Sequence, residues 1–314
     1  MDDTQWIELA VDACNHAGIE YGTIEPIATW DQEYRANAVY RLGGQRYLKL
    51  FGPTAERQFH VERAVLRTLE AHSSISAPHI IAEGNRRPGP PYLVLSEVPG
   101  STAEQVWDIL SRSEQLAIAR DLGVITAAIH RLPQQELLAV EQQYGGRLEQ
   151  IRREQARRIA HIDATEALSA QQRSDMIHFL KVEAAEHLDG PPTLAHCELA
   201  HNHLYLSRET GAWHVSGLID WADAMLGPPE WDVTFLWFWT FSRDREAMRT
   251  CLKALYAVSP RPEHFARRCL AAILHTHSGP ALWAEFAEQA GGPERIVQTM
   301  TEYLFPPEVF GPPD

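Results

Sequence analysis

The change from short β-rich runs to long helical runs near residue 100 is the feature that most constrains the fold of this chain. Two runs with strand composition, 37–42 and 46–51, are separated by Gly43 and Gly44, which is a strong hairpin signal. Another apolar strand is predicted at 92–96, whereas helical periodicity prevails beyond residue 103. A small β-rich part followed by a larger helical part predicts an α+β fold in two lobes.

The predicted boundary between the lobes follows the strand 92–96. The run from Glu97 to Gly100 has the composition of a connection between lobes, although a surface turn is an alternative interpretation. We therefore predict an N-terminal lobe over 1–98 and a C-terminal lobe over 99–314. Within the C-terminal lobe, the region 135–190 is predicted to form a helical hairpin.

Lys49 and Glu62 form the first chemically suggestive pair. Lys49 lies in the second strand of the predicted hairpin, and Glu62 follows on a helix predicted over 54–71 with Thr54 as its N-cap. A lysine ammonium can bind phosphate oxygens while a carboxylate fixes its position. The pattern is common by chance, and Glu56 is an alternative partner for the lysine.

A denser polar cluster lies at His196-Cys-Glu-Leu-Ala-His-Asn-His203, between two predicted strands. Such a loop exposes a carboxylate and several imidazoles, and loops of this kind commonly carry function. A second segment ends an apolar strand at Asp220, where a carboxylate either caps a turn or offers an oxygen ligand to a hard divalent cation. Zinc binding in a hydrolase is an alternative for the histidines and the glutamate, but their spacing matches no zinc motif known to us.

The overall charge of −14 argues against nucleic acid as a partner, because phosphate binding needs clustered lysine and arginine. There is no apolar run of membrane-spanning length, and the first residues are acidic rather than typical of a secretion signal. The four cysteines are scattered, so neither a disulfide framework nor a thiolate zinc site is predicted. We expect a cytoplasmic protein, a monomer or a homodimer, with a small cationic molecule rather than a membrane or nucleic acid as its partner.

These segments resemble the aminoglycoside phosphotransferases and their choline-kinase-like relatives, which share the two-lobed fold of protein kinases. The catalytic loop of that family reads roughly His-Gly-Asp-Leu-His-x-x-Asn, and the run from His196 to His203 aligns with it position for position. The metal-binding segment of the family, Ile-Asp-Trp with a downstream Gly-x-Pro-x-x-Asp, matches 219–221 and 227–232. The resemblance covers about residues 20–240, and its metal segment is the most specific part.

The resemblance implies a nucleotide site for ATP or GTP with Mg²⁺. Asp220 is then the metal ligand, and Lys49 binds the α- and β-phosphates with Glu62 as its positioning partner. Backbone groups of Glu97 and Val98 are expected to receive the nucleobase. No glycine-rich loop follows the first predicted strand, so phosphate contacts from that turn must come from other backbone N–H groups.

The resemblance also implies a catalytic loop with two departures from the family. Glu198 takes the place of the catalytic Asp as general base, with His196 beside it in the loop. One extra methylene displaces the carboxylate by about 1 Å, and such a misplacement can cost about a hundredfold in rate. His203 replaces the metal-binding Asn, and an imidazole suits Mg²⁺ less well than an amide oxygen. Asp232 is expected to brace the loop through hydrogen bonds.

The acceptor implied is a hydroxyl group of a small cationic natural product, such as an aminoglycoside, in a role of antibiotic resistance. Acidic side chains are candidates for binding it: Asp223, Glu230, Asp244 and Glu285. Four tryptophans, Trp231, Trp237, Trp239 and Trp283, either line a substrate pocket or belong to the core. Two alternatives stay open, namely a metabolic kinase for an amino alcohol, sugar or nucleoside, and a catalytically inactive kinase-like protein that binds a nucleotide.

Overall fold

The computed structural model of the chain describes residues 3–27, 37–72, 75–85, 89–166, 168–188, 191–209, 211–274, 286 and 295–312. The chain divides into two compact units. Unit 1 comprises Met1–Asp108, Gln135–Tyr144 and Asn202–Ala224, and unit 2 comprises Ile109–Gln134, Gly145–His201 and Met225–Asp314. This division differs from a single boundary after Val98, because two later segments of the chain return to unit 1.

The described strands form three antiparallel sheets. In chain order they are β1 (Ile24–Pro26), β2 (Asn37–Leu42), β3 (Arg46–Phe51), β4 (Ile80–Gly84), β5 (Tyr92–Ser96), β6 (Ser101–Thr102), β7 (Thr193–Ala195), β8 (Leu204–Glu209), β9 (Ala212–Leu218) and β10 (Met225–Gly227). In unit 1, β1 to β5 form an antiparallel sheet in the order β1-β2-β3-β5-β4, and β6, β8 and β9 form a second one. In unit 2, β7 pairs with β10.

Helices occur in both units and account for most of unit 2. In chain order they are α1 (Asp3–Ala17), α2 (Glu56–His72), α3 (Ala103–Val106), α4 (Arg112–Ile129), α5 (Gln135–Tyr144), α6 (Arg147–Asp163), α7 (Ala170–His178), α8 (Ala184–Leu188), α9 (Glu230–Phe235), α10 (Arg245–Leu255), α11 (Phe265–Leu274), α12 (Ile296–Leu304) and α13 (Pro307–Phe310). Two π-helical segments, Phe179–Glu183 and Leu236–Thr240, continue α7 and α9. No helix among the described residues has both the length and the apolar character needed to cross a bilayer.

The predicted hairpin is present, and it places Lys49 in the middle of the larger sheet. Lys49 pairs with Val39 of β2 on one side and with Leu93 of β5 on the other. The turn between β2 and β3 contains Gly44 at φ 103°, a left-handed conformation that favours glycine. Because β3 is flanked by strands on both sides, the lysine is held within a fixed backbone framework.

The cores of the two units are built differently. In unit 1 the apolar face of α1 packs on the sheet, with Trp6 and Ala10 against Leu48 and Leu50. In unit 2 helices pack on helices, and α4 lies against α10 so closely that a Cβ at Gly123 would be 2.2 Å from the carbonyl oxygen of Cys251. Only glycine permits this backbone approach.

Most predicted elements are present, with two differences. Helix α2 begins at Glu56, so Thr54 is not its N-cap. The region 135–190 is not one helical hairpin, since α5 belongs to unit 1 and packs against α2. Trp231 and Trp237 are core residues at 2% exposure, whereas Trp239 is half-buried and Trp283 lies outside the described residues.

Candidate active site

In unit 1, Lys49 lies between two carboxylates. Its Nζ is 2.7 Å from Oε2 of Glu62 on α2 and 2.7 Å from Oδ1 of Asp220, which follows β9. The predicted partner Glu62 is thus the one that the structure pairs with the lysine. The three residues come from a central strand, a helix and the end of a hairpin, all within unit 1.

Burial makes this charge arrangement strong. Lys49 and Glu62 are almost completely buried, whereas about a third of the Asp220 side chain is exposed. Burial by itself lowers the pKa of Lys49, but the carboxylates of Asp220 and Glu62 outweigh it, and the net pKa lies above the ordinary value. Burial raises the pKa of the Glu62 carboxyl, while Lys49 opposes that rise. The charged form of the lysine is therefore favoured, between one buried and one accessible carboxylate.

Asp220 is suited to a hard divalent cation. It stands at φ 61°, two residues after the end of β9, and its partly exposed carboxylate offers oxygen atoms of the kind that Mg²⁺ prefers. His203 lies beside it, with Nε2 3.7 Å from Oδ2 of Asp220 and 3.0 Å from the side-chain nitrogen of Asn202. An imidazole is a poorer ligand for Mg²⁺ than for softer metals. Asp220 fits the metal implied by the sequence, and His203 fits it less well.

The connection after β5 packs onto the second sheet of unit 1. The backbone N–H of Glu97 donates to the carbonyl oxygen of Gln45, so only the carbonyl of this residue and the groups of Val98 are left as candidates for a nucleobase. The Glu97 carboxylate is 3.3 Å from Arg41 and from the hydroxyl of Tyr47. A side chain at Gly217 would approach Val98 to 2.6 Å, which explains the glycine there.

In unit 2 the segment that begins at His196 is held by a buried carboxylate. Asp232 on α9 is fully buried and accepts hydrogen bonds from the backbone N–H groups of His196, at 3.1 Å, and Cys197, at 2.8 Å. Oδ2 of Asp232, which accepts from His196, is also 2.9 Å from Nε2 of His130 at the end of α4. Asp232 therefore has the bracing role predicted from the sequence.

Glu198 follows directly on this braced turn. Its backbone N–H points to Nδ1 of His196 at 3.3 Å, and its carbonyl oxygen accepts from the backbone N–H of Ala200. The imidazole of His196 is wholly buried, so His196 shapes the loop from inside. Cys197 occupies the position at which the family pattern has glycine, and its φ of 67° shows why glycine suits that position.

Comparison with known proteins identifies the family to which these features belong. Residues 31–272 match the description "phosphotransferase enzyme family". The chain belongs to that family. It is therefore a kinase-type phosphotransferase that acts on hydroxyl groups, and the mixed architecture described above is its protein-kinase-like fold.

Solved structures of similar fold include two kinds of antibiotic phosphotransferase. The GDP complex of aminoglycoside 2'-phosphotransferase-IIIa has a TM-score of 0.67 at 14% identity, covering 98% of this chain and 99% of that chain. The macrolide 2'-phosphotransferase of Brachybacterium faecium has a TM-score of 0.60 at 20% identity, with the same coverage. An ADP-bound aminoglycoside phosphotransferase, APH(2'')-Ib, has a TM-score of 0.61 at 17% identity, covering 97% and 98%. At these identities the likeness extends to the fold and leaves the acceptor open.

The acidic residues predicted to bind the acceptor of this phosphotransferase have partners within the protein. Glu230 is 1% exposed and accepts a hydrogen bond from Arg268, so it connects α9 to α11 and is unsuited to contact a substrate. Asp244 caps α10 and pairs with Arg112. Asp223 accepts a hydrogen bond from Gln58 of α2 at 3.2 Å, and Glu285 lies outside the described residues.

Two groups of contacts in the structure were not predicted from the sequence. His130 was recognised only as part of a helix, and its partner Asp232 is 102 residues away. Gln58 and the packing of α5 on α2 were not predicted either, although Gln58 stands one helical turn before Glu62. That spacing is the one signal that could have placed Gln58 on the same face as Glu62.

Proposed function

We propose that this phosphotransferase transfers the γ-phosphoryl group of ATP or GTP to a hydroxyl group of a small antibiotic-type natural product. One observation carries the proposal, namely that Lys49 bridges a buried and an accessible carboxylate in unit 1. In phosphoryl transfer most of the catalysis is positioning and charge neutralisation, for which a fixed ammonium and a metal-binding carboxylate are the main requirements.

The roles in nucleotide binding follow from burial and exposure. Glu62, buried and supported by the backbone N–H of Trp221, holds Lys49 in place. Lys49 binds the α- and β-phosphate oxygens and exchanges its contact with Asp220 for them. Asp220 then holds Mg²⁺, which when bound neutralises charge on the β- and γ-phosphates. The carbonyl of Glu97 and the backbone of Val98 receive the nucleobase.

The role of general base belongs to Glu198. Its carboxylate orients the acceptor hydroxyl and takes up the proton of that hydroxyl as the bond to phosphorus forms. His196 and Asp232 fix the backbone around it, so the longer side chain of a glutamate starts from a defined position. His203, in the position of the family asparagine, assists Asp220 at the metal.

An aminoglycoside is the first candidate acceptor, in keeping with the acidic composition of the chain. A macrolide is the second candidate, and a specific observation favours it. Glu230 and Asp244 form ion pairs with Arg268 and Arg112, so the charges of these two carboxylates are already balanced within the protein. A less charged acceptor that bears hydroxyl groups does not need acidic side chains for binding.

The test is a direct assay of phosphate transfer. Purified protein is incubated with ATP or GTP, Mg²⁺ or Mn²⁺, and a panel that contains kanamycin, gentamicin, streptomycin, a macrolide, and hydroxylated amines, sugars and nucleosides. Mass spectrometry then reports the gain of one phosphate. We expect a product with an antibiotic and its loss in Asp220→Ala, while Asp163→Ala, which removes an exposed carboxylate of α6, keeps the activity.

Two outcomes would redirect the proposal. A phosphorylated amino alcohol, sugar or nucleoside in place of an antibiotic would identify a metabolic kinase. Nucleotide-dependent stabilisation without any product would identify an inactive nucleotide-binding protein. The variant Glu198→Asp tests whether the site is adapted to a glutamate. If it is, the shorter side chain lowers the activity. If the glutamate impairs the site, the shorter side chain raises the activity.

A further inference from the structure

Helix α2 sets the position of Glu62, and it is contacted on two faces. Gln58 and Glu62, four residues apart, reach Asp223 and Lys49. Arg57 and His60, three residues apart, reach residues of α5. At about 100° per residue, the midpoints of these two pairs lie about 150° apart around the helix axis. Helix α2 is therefore held between the Lys49 site on one side and α5 on the other.

The face of α5 that is turned inward has regular helical spacing. Its less exposed side chains are Leu137, Val140, Glu141 and Tyr144, at intervals of three and four residues, and the positions between them are exposed. The helix packs along α2 within unit 1. One stripe of α5 is thus dedicated to α2.

Two polar contacts anchor this packing. The hydroxyl of Tyr144 is 2.7 Å from Nε2 of His60, and the two rings are stacked with centroids 4.4 Å apart and an angle of 19° between their planes. Glu141 forms an ion pair with Arg57 at 3.7 Å, and at least four-fifths of each of these two side chains is buried. Ion pairs that are largely withdrawn from water are screened less than surface pairs, so this contact constrains the helix.

We propose that α5 is a positioning element for the phosphate-binding lysine. Glu141 and Tyr144 hold Arg57 and His60, and thereby keep Glu62 within hydrogen-bonding distance of Lys49. A displacement of α2 by about 1 Å would stretch the 2.7 Å contact between Lys49 and Glu62 beyond hydrogen-bonding range. The inference rests on the proposed role of Lys49 in binding nucleotide phosphates.

The proposal predicts a specific pattern of affinities. Loosening α2 weakens the grip of Lys49 on phosphates but leaves the nucleobase contacts at the connection after β5 unchanged. The double variant Glu141→Gln/Tyr144→Phe should raise the Kd for Mg²⁺-ATP about tenfold, from the loss of one ion pair and one hydrogen bond, and should leave the Kd for adenosine unchanged. If the protein prefers guanine, GTP and guanosine are the matched probes.

The experiment is titration calorimetry on the full chain, with competition titrations for the nucleoside. Gln142→Ala, an exposed position on the same helix, is the matched control and should leave both Kd values unchanged. The charge exchange Arg57→Glu/Glu141→Arg should restore most of the ATP affinity that Glu141→Arg alone removes. A purely structural role for α5 would weaken the binding of ATP and adenosine alike, and equal losses of both affinities would overturn the proposal.

Lys49→Met separates failure of the inference from failure of the proposed function. If Lys49→Met weakens ATP binding and the α5 variants do not, the positioning role is wrong and the role of Lys49 stands. If Lys49→Met leaves ATP binding unchanged, both the positioning role of α5 and the role of Lys49 in phosphate binding are wrong. Should the double variant fail to fold, as judged by circular dichroism, Glu141→Gln alone and the charge exchange decide the matter by the same ratio of ATP to adenosine affinity.

Discussion

Glu62 in unit 1 and Asp232 in unit 2 are both buried carboxylates, but they contact different kinds of partner. Glu62 in unit 1 is 2% exposed and faces the ammonium group of Lys49, a side chain that also contacts Asp220. Asp232 in unit 2 is fully buried and faces two backbone N–H groups and the ring of His130. The partner of Glu62 can exchange one of its contacts for a ligand, whereas the partners of Asp232 are parts of the fold.

This difference teaches which carboxylate matters for stability and which for ligand binding. A buried carboxylate that satisfies backbone donors cannot be lost without leaving those donors unpaired in the interior. Glu62 orients Lys49, so its removal affects the binding of any ligand that Lys49 contacts. The burial of Glu62 also raises the pKa of its carboxyl group. We therefore expect substitutions at Asp232 to act on folding and substitutions at Glu62 to act on nucleotide use.

The largest effect is expected for Asp232→Ala. The change leaves the backbone N–H groups of His196 and Cys197 buried without an acceptor, and it removes the partner of His130. The free energy of unfolding should fall by about 4 kcal/mol, measured by urea denaturation. Asp163→Ala is the control for loss of an exposed carboxylate and should change stability by less than about 0.5 kcal/mol. A small effect at Asp232 would erase the contrast between the two units.

A smaller effect, on function instead of folding, is expected for Glu62→Gln. The amide keeps the size of the side chain but removes the charge that fixes Lys49, and a hydrogen bond to a charged group is worth about 2 kcal/mol. We expect kcat/KM for the nucleotide to fall about thirtyfold. The unfolding free energy should change by less than it does in Asp232→Ala. The reverse ranking would show that Glu62 is the structural carboxylate.

The parts of the site that local sequence patterns specify could be predicted. The hairpin turn at Gly43 and Gly44 fixes β3 and therefore Lys49, and the apolar run that ends at Asp220 places this carboxylate at the end of β9. Each of these placements depends on residues close in the chain. Glu62 required one further step, because the helix period alone does not say which of its faces meets β3.

The parts that depend on distant pairing could not be predicted. The stripe of α5 at Leu137, Val140, Glu141 and Tyr144 indicates a buried face, but nothing in a helical period names the surface it covers. The contact between Glu230 and Arg268 could not be predicted for the same reason, since the two residues are 38 positions apart in the chain. Acidic composition suggested a cationic acceptor, whereas individual carboxylates are assigned by their neighbours in space.

A still smaller effect tests the turn that Asp232 holds. Cys197 has φ 67°, which costs an L-residue about 1–2 kcal/mol and glycine almost nothing. Cys197→Gly should therefore be at least as stable as the parent, since relief of strain offsets lost packing near Trp231. Cys197→Val, with a branched Cβ, should be about 2 kcal/mol less stable than Cys197→Gly in urea denaturation. Equal stabilities would show that the bond to Asp232 does not impose this backbone conformation.

The smallest effect concerns pH, and it compares one histidine from each unit. Burial lowers the pKa of His60 in unit 1, with Arg63 acting in the same direction and Glu56 and Glu83 opposing. Burial likewise lowers the pKa of His187 in unit 2, with Arg268 adding to the effect. In both cases the unfolded chain binds the proton more readily, so the free energy of unfolding should fall as the pH drops below about 6.5 and level off beneath the lowered pKa.

The two histidines should differ in what else the proton changes. In protonated His60 both ring nitrogens carry a proton, so Nε2 can only donate to the hydroxyl of Tyr144, and the added charge alters the contact between α2 and α5. His187 lies on α8 in unit 2, whereas Lys49 belongs to unit 1. His60→Gln should therefore flatten the pH dependence of both unfolding and the Kd for ATP between pH 5 and 7. His187→Gln should flatten only the pH dependence of unfolding. Its helix, α8, lies outside the unit that holds Lys49, so we expect the Kd for ATP to keep its pH dependence.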